Sequence, residues 1–195
     1  MEEKKSLRAQ LRQKRRAFSP HDCEHWDNAL ASHLLSLPEY ARANTIFCYV
    51  STAEEPGTQS LMAFALADGK QLCVPRCHGN GIMDLCMISS LADLRPGAYG
   101  LLEPPAHALK VQPSEVDLAI VPCIACTRDG YRLGQGGGYY DRFLPQFSGD
   151  AVLLCREALV LDTLPTEPHD CAISTVVTEA GVFRNSKPTL EKQTN

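Results

Sequence analysis

Short runs of apolar residues recur along this chain, and they constrain its fold more than any other feature of the sequence. TIFCYVS at 45–51 is almost wholly apolar. That is the pattern of a strand buried on both faces, as in parallel sheets whose two faces are covered by helices. We predict strands in this run and in five others: QLCVP at 71–75, IMDLCMI at 82–88, VDLAIVP at 116–122, AVLLC at 151–155 and AISTVVT at 172–178.

Four segments with helical features are interleaved with these strands. The first carries Leu7 and Leu11 one helical turn apart among lysines and arginines, which predicts a basic amphipathic helix. The second begins at Ser19, a favourable N-cap residue, with Pro20 at the first helical position. The predicted helices span residues 2–17, 19 to about 37, 58–69 with Gly69 as its end, and 139–144.

Strands that alternate with helices indicate an α/β protein. We therefore predict a three-layer single domain over residues 1–184, with a largely parallel central sheet flanked by helices. The last residues, 185–195, lack apolar anchors, and we predict a disordered tail there. In open parallel sheets, ligands bind beyond the carboxyl ends of the strands. The loops that follow Val50 and Pro122 are therefore the first places to look for a site.

The composition excludes several classes of function. The chain has 195 residues, of which 44% are hydrophobic and 22% charged, values that are ordinary for a soluble globular protein. A formal net charge of −4 gives no reason to expect nucleic-acid binding. The apolar runs are too short to span a membrane, and no apolar segment follows the charged N-terminus as in a secretory signal. We expect a cytoplasmic monomer that binds neither membranes nor nucleic acid.

Nine cysteines are present, and two of them form a C-x-x-C pair. A zinc or redox site at Cys123 and Cys126 would need a second pair or a neighbouring histidine, and the sequence places neither nearby. Because most of the other cysteines lie in apolar runs, we interpret the set as buried thiols in a reducing compartment.

The stretch YRLGQGGGYYDRFL at 131–144 contains four glycines, each of which weakens a helix or strand by about 0.5–1 kcal/mol. Bare backbone N–H groups can approach a phosphate closely, and Arg132 would add a fixed cation. A flexible surface loop is the alternative, but it does not explain the Tyr-Tyr-Asp-Arg that follows. The stretch does not match the P-loop pattern GxxxxGK[ST]. We predict a phosphate-binding loop.

This stretch resembles the signature of the 5-formyltetrahydrofolate cyclo-ligase family. The resemblance extends along nearly the whole chain, in order, through KKSLR, STAEEPGT, VPR, YGLLEPP, DLAIVP and LPTEPHD. It implies an enzyme, an ATP-dependent carbon–nitrogen ligase with Mg²⁺ as its metal. The implied reaction closes 5-formyltetrahydrofolate to 5,10-methenyltetrahydrofolate, with release of ADP and phosphate, through a phosphorylated formyl (iminium phosphate) intermediate.

The resemblance also implies site residues. The implied Mg²⁺ ligands are Asp141 and Asp170, and the implied catalytic residues are Arg132 and Asp141. Residues matching the folate site are Val50, Glu55, Tyr99, Gln135, Gly136, Gly137, Gly138 and Tyr139. Residues matching the ATP site are Lys4, Arg8, Arg132, Leu133, Gly134, Gln135, Gly136, Gly137, Gly138, Tyr139 and Tyr140. For the other basic residues of the first helix, Arg12, Lys14, Arg15 and Arg16, we expect a merely solvated face.

Two other functions stay open at this point. The first is a non-catalytic folate-binding relative that sequesters 5-formyltetrahydrofolate without consuming ATP. The second is an RNA-binding module that uses the basic segment KKSLRAQLRQKRR at 4–16. The acidic total and the lack of aromatic residues among these cations argue against RNA binding.

Overall fold

The computed structural model describes residues 2–97, 100–168 and 170–185. Tyr99 and nearly all of the predicted tail at 185–195 therefore lie outside the described residues. The helices are α1 (Glu2–Arg16), α2 (Pro20–Leu35), α3 (Pro38–Arg42), α4 (Gln59–Ala67) and α5 (Tyr139–Phe143). The strands are β1 (Thr45–Cys48), β2 (Gln71–Gly79), β3 (Ile82–Ile88), β4 (Arg95–Pro96), β5 (Leu102–Glu103), β6 (Lys110–Val111), β7 (Leu118–Pro122), β8 (Ala125–Thr127), β9 (Arg132–Leu133), β10 (Asp150–Leu154), β11 (Val160–Leu161), β12 (Thr175–Thr178) and β13 (Gly181–Arg184).

Eight of these strands form one sheet in the order β13-β12-β10-β7-β1-β2-β3-β6. The five central strands, from β12 to β2, pair in parallel. The strands outside them, β13 at one edge and β3 with β6 at the other, pair antiparallel. A largely parallel sheet was predicted, and it is present.

Side chains alternate between the two faces of this sheet, as the period of a strand requires. In β1, Ile46 and Cys48 join a core that includes residues of α2 and α4. Phe47, which lies between them, joins a second core with Leu11 of α1 and Phe143 of α5. Helices therefore cover both faces, and the predicted three-layer α/β architecture is confirmed.

The structure confirms the predicted start of the second helix and the predicted end of the helix before Gly69. The Ser19 hydroxyl accepts a hydrogen bond of 3.1 Å from the backbone N–H of Asp22, and Pro20 begins α2. Gly69 has a φ of 74°, and it follows the last turn of α4. An L side chain is strained in that left-handed conformation, which explains why glycine stands there.

Strands and helices do not alternate as regularly as the sequence suggested. β2 and β3 form an antiparallel hairpin whose turn is Asn80–Gly81, with φ values of 51° and 73°. Two consecutive positive φ values are what a two-residue hairpin turn needs, and Asn-Gly supplies them. Between β7 and β10, the described connection has the five-residue α5 and the short strands β8 and β9 in place of a long helix.

No helix in the described ranges is long and apolar enough to cross a membrane.

One ion pair joins α3 to the edge strand β13. The Arg184 guanidinium donates to both oxygens of the nearly buried Glu39 carboxylate, with 2.9 Å between Nη2 and Oε2. This hydrogen-bonded cation lowers the pKa of Glu39 below its ordinary value. The pair therefore stabilises the folded state above the ordinary carboxylate pKa, and that contribution is lost as the pH falls through the lowered pKa.

We predict that Glu39→Gln lowers the free energy of unfolding at pH 7 and that its deficit shrinks at acidic pH. The reason is that wild-type Glu39 becomes protonated there and loses the same interaction. Urea unfolding of both proteins at pH 7 and at progressively lower pH measures the difference. A deficit that stays constant across this range would contradict the assignment.

Candidate active site

The candidate site lies where the chain changes direction within the sheet. From β1 the chain continues to β2 on one side, whereas β7 lies parallel to β1 on the other side. The loops that leave the carboxyl ends of β1 and β7 therefore diverge and leave a crevice, which is where open α/β sheets bind ligands. A contact of 3.4 Å between Gln135 Nε2 and Glu55 Oε1 connects the loop after β1 to the loop after β9, which belongs to the connection from β7 to β10. The segments that follow Val50 and Pro122 therefore meet at this edge of the sheet.

The loop after β1 is held in one conformation by buried hydrogen bonds. Thr58 is fully buried; its hydroxyl donates to the carbonyl of Tyr49 at 2.8 Å and accepts from the N–H of Ser51 at 3.1 Å. Glu55 lies inside this loop, 8% exposed, and its Oε2 accepts from the N–H and the hydroxyl of Thr52. Val50 is also buried in the same segment. Both predicted folate residues of this loop thus lie at the mouth of the crevice, in a fixed position.

The glycine loop, residues 134–138, follows β9 and passes directly in front of α1. Arg8 Nε donates to the carbonyl of Gly134 at 2.8 Å. Gly136 has a φ of 95°, and a Cβ placed there would lie 3.5 Å from Cζ of Arg8. Gly138 also has a positive φ, 71°, immediately before α5. The glycines therefore permit a backbone path that other residues would strain, close to a cation.

The hairpin turn between β2 and β3 supports this loop from the side. A Cβ on Gly81 would lie 2.7 Å from the carbonyl oxygen of Gly137, and 1.7 Å from Nη1 of Arg142. Only glycine allows so close an approach. The Asn-Gly pair was the sequence feature that could have predicted this support.

Three cations on one face of α1 reach the candidate site. Lys4 Nζ lies 2.7 Å from Asp170 Oδ2, Arg8 contacts the glycine loop, and Arg12 Nη2 donates to Gln135 Oε1 at 2.8 Å. Their spacing of four residues places them on one helical face. The structure thus brings Arg8 to the glycine loop and Lys4 to Asp170, and the same spacing could have identified Arg12.

The expectation of a merely solvated face is wrong for Arg12 and Arg15. Arg12 contacts the glycine loop, and Arg15 is buried, with 3% of its surface exposed. Lys14 is exposed and donates to the carbonyl of Ala158. Arg16 pairs with Glu54 across the surface. The basic residues at the end of α1 therefore contact other parts of the fold.

Arg132 connects the two predicted metal ligands. One of its nitrogens donates to Asp141 Oδ1, and the other donates to the carbonyl of Cys171, the residue after Asp170, at 3.1 Å. The Arg132 side chain is only 6% exposed, so its position is fixed. Asp170 accepts both from Lys4 and from the N–H of Glu167, at 2.8 Å. Asp141 in α5 and Asp170 in the loop before β12 thus approach the same region, each beside a cation.

The remaining predicted residues of the loop serve mainly as supports. The Leu133 side chain is buried in the core. The Tyr140 ring packs against Phe47 and Phe143, and burial raises the pKa of its hydroxyl well above the usual value. Tyr139 lies so close to Gly137 that a Cβ there would be 2.7 Å from the Tyr139 ring. The helix that follows has five residues, so its dipole adds less positive potential than a long helix would.

Arg156 is a functional candidate that sequence reasoning missed. It is 2% exposed, and its Nη2 donates to the backbone carbonyl of Glu55 and to Asp27 Oδ1, both at 3.1 Å. It therefore fixes the loop that carries Glu55 from behind. A charged residue directly after the buried strand run 151–155 was the sequence feature that could have indicated it.

Several known proteins are similar to this chain in sequence and in fold. The 5-formyltetrahydrofolate cyclo-ligase family model matches residues 1–179. The 5-formyltetrahydrofolate cyclo-ligase of Mycolicibacterium smegmatis is 33% identical, covering 90% of this chain and 93% of the relative. The Aquifex aeolicus 5,10-methenyltetrahydrofolate synthetase structure has a TM-score of 0.85 at 32% identity, covering 97% of both chains. The Mycoplasma pneumoniae 5,10-methenyltetrahydrofolate synthetase, at 22% identity, covers 90% of this chain and 98% of its own and shares the fold with a TM-score of 0.74.

The parallel sheet and the loops that diverge at its switch point define an α/β protein of the class that binds ligands between such loops. With the family match over 179 of its 195 residues, the chain belongs to the 5-formyltetrahydrofolate cyclo-ligase family. It is an enzyme of that family.

We predict that Thr58→Val destabilises the protein by about 1–3 kcal/mol, because two buried backbone groups lose their partner. Thr45→Val, at the start of β1, is the matched control, since that hydroxyl makes only a 3.4 Å contact with Gln71. Urea unfolding of the two variants measures the difference. Equal stability of the two would show that the Thr58 hydroxyl does not fix the loop.

Proposed function

We propose that this protein catalyses the ATP- and Mg²⁺-dependent cyclisation of 5-formyltetrahydrofolate to 5,10-methenyltetrahydrofolate, with release of ADP and phosphate. The observation that carries the proposal is the meeting of a glycine loop, α1 cations and two carboxylates beside a buried Glu55. We also expect the protein to act as a monomer in the cytoplasm.

The triphosphate of ATP is assigned to the glycine loop and the cations around it. Arg8 lies against the loop at Gly134 and Gly136, Arg132 directly precedes the loop in β9, and Lys4 pairs with Asp170. Exposed backbone N–H groups and fixed cations are the usual means of binding phosphate oxygens. The loop residues 135–137 are exposed, so a ligand can reach them.

Asp141 and Asp170 are the residues that would hold Mg²⁺. Oxygen ligands suit this hard ion, and two carboxylates with nucleotide phosphates are a typical donor set. Their present partners, Arg132 and Lys4, show that both carboxylates lie where positive charge is favourable. When bound, the ion supplies positive charge to the phosphates and helps to orient them.

The folate is assigned to the crevice beside Glu55. Its carboxylate is held by Thr52 on one oxygen, and its other oxygen faces the Gln135 side chain. A buried carboxylate in a fixed position can accept hydrogen bonds from the N–H groups of a pterin. Since Gln135 belongs to the glycine loop, this arrangement would bring the folate next to the phosphates of ATP.

The proposed chemistry turns the formyl oxygen into a good leaving group. That oxygen attacks the γ-phosphorus of ATP, the bond to the bridging oxygen breaks and ADP leaves. The product is an iminium phosphate at N5. N10 then attacks the former formyl carbon and loses its proton, and phosphate departs with the formyl oxygen. Positioning and charge stabilisation by Arg132 and the loop N–H groups are the protein's contribution.

The first prediction of this proposal concerns the fate of the formyl oxygen. The enzyme, mixed with 5-formyltetrahydrofolate and Mg-ATP, should produce the absorbance of methenyltetrahydrofolate. With ¹⁸O in the formyl group, mass spectrometry should find the label in inorganic phosphate. Folate binding without ATP consumption would identify a sequestering relative. Product formation with unlabelled phosphate would exclude the phosphorylated intermediate.

The second prediction concerns the loop. Gly136→Ala should raise the KM for ATP about tenfold, which corresponds to about 1.4 kcal/mol of binding, because Ala is strained at the φ of 95° and shifts the loop. The matched control is Gly69→Ala, which has a similar φ of 74° and no atom within 4 Å of its added Cβ. It should cost about 1–2 kcal/mol of stability and leave the KM unchanged. An equal KM for ATP in both variants would show that the glycine loop does not contribute to nucleotide binding.

A further inference from the structure

Three cysteine thiols from different elements meet behind the candidate active site. Cys123 follows β7, Cys126 lies in β8, and Cys155 follows β10. Their Sγ atoms all lie within 4.8 Å of one another, and all three residues are buried. In the described ranges, these cysteines form the one group of three or more histidine, cysteine or acidic side chains that lie close enough together to hold a metal ion. The sequence offered a C-x-x-C pair alone, and the parallel pairing of β7 with β10 supplies the third thiol.

The guanidinium of Arg15 provides a second, independent observation. Arg15 is 3% exposed, and within the described residues its Nε and Nη1 have no hydrogen-bond partner. Its Nη2 reaches only the carbonyl oxygen of Cys123, at 3.5 Å. A buried cation without an anion is costly, so this position favours a negative charge beside it.

We propose that Cys123, Cys126 and Cys155 bind one Zn²⁺ ion as three thiolates, with Arg15 compensating the charge of the complex. Three thiolates and Zn²⁺ carry a net charge of −1, which the single positive charge of Arg15 neutralises. A Cu⁺ ion with the same ligands would leave a net charge of −2 and one uncompensated buried charge. The charge of the site therefore favours the divalent ion.

The geometry of the three thiols is compatible with this ion. A Zn–S bond of about 2.3 Å in a tetrahedral site sets the sulfur atoms about 3.8 Å apart. The observed limit of 4.8 Å means that the side chains need to move by about 1 Å or less. A water molecule would be the fourth ligand, because no further histidine, cysteine or carboxylate of the described residues joins this group.

Binding must displace the thiol protons. In the metal-free protein the Cys123 thiol donates to the carbonyl of Leu154 at 3.4 Å, and the Cys155 thiol donates to the carbonyl of Arg156 at 3.5 Å. In the binding reaction, one Zn²⁺ ion and three thiols give one zinc–thiolate complex and three released protons. Zinc affinity should therefore rise steeply with pH.

The site would be structural and separate from the proposed ATP and folate site. The ion would connect the ends of β7 and β10 to β8, and in β8 Cys126 pairs with Arg132 of β9. It would thus fix the base of the glycine loop. This inference stands on the thiols and Arg15 and does not depend on the proposed function.

The test uses the full chain, kept reduced and freed of metal by chelation. Co²⁺, used as a visible probe, should produce a thiolate charge-transfer band that saturates at one ion per chain and disappears when Zn²⁺ is added. Zn²⁺ alone should raise the unfolding temperature and release about three protons per ion. Absence of the Co²⁺ band in the wild-type protein would overturn the proposal and leave three ordinary buried thiols.

Two variants assign the ligands. Cys155→Ser should lose the band, whereas Cys73→Ser, which replaces a buried thiol outside the cluster, should keep it. Equal bands in both variants would overturn the assignment.

If Cys155→Ser does not fold, the Arg15→Met variant tests the proposal instead, because it leaves the three thiols intact. It should weaken Zn²⁺ binding at least tenfold while leaving the metal-free protein as stable as wild type or more so; unchanged affinity would contradict the role of Arg15.

Discussion

The parallel pairing of β1 with β7 is the constraint on which the rest of this structure depends. Because the chain leaves β1 towards one side of the sheet, β7 enters on the other side, and the loops after both strands open at the same edge. This switch point brings Glu55 to the glycine loop. It also defines where α1 can dock, since Arg8 contacts that loop. The site is therefore a consequence of strand order.

Charge organises the site more than hydrophobic packing does. Lys4 and Arg132 each neutralise an aspartate, and Arg8 and Arg12 hold the backbone and one side chain of the glycine loop. The contacts of Lys4, Arg8 and Arg12 join segments that are more than 100 residues apart in sequence. Phosphoryl transfer needs little covalent chemistry from a protein, so a set of fixed charges and bare backbone suits the proposed reaction.

The elements that the sequence predicted well are those governed by local chemistry. The basic helix at the N-terminus, the Ser19 cap, the Gly69 end and the buried strands all follow from side-chain pattern and backbone preference. The hairpin between β2 and β3 follows from its Asn-Gly turn, a local feature that the prediction did not use. The short connection from β7 to β10 was not predictable, because it depends on how β8 and β9 pair with each other.

The candidate site was predictable only in part, for a related reason. The resemblance of the glycine stretch to a family signature led to Arg132, Asp141 and their neighbours. It gave no indication of Arg156, which acts on the Glu55 loop through a contact 101 residues away in sequence. Arg15 was expected to be solvated because it continues a run of charged residues, yet the docking of α1 buries it.

By itself, the sequence determined the fold class, the start of α2, the end of α4, the glycine loop and the family to which the chain belongs. These depend on residue types at short spacing, where the backbone and the hydrophobic pattern decide the outcome. Only the tertiary structure decided which distant groups meet: Lys4 with Asp170, Gln135 with Glu55, and Cys155 with the C-x-x-C pair. Such meetings depend on strand order and helix docking. Those are set by the burial of the whole sheet, which no short stretch of sequence encodes.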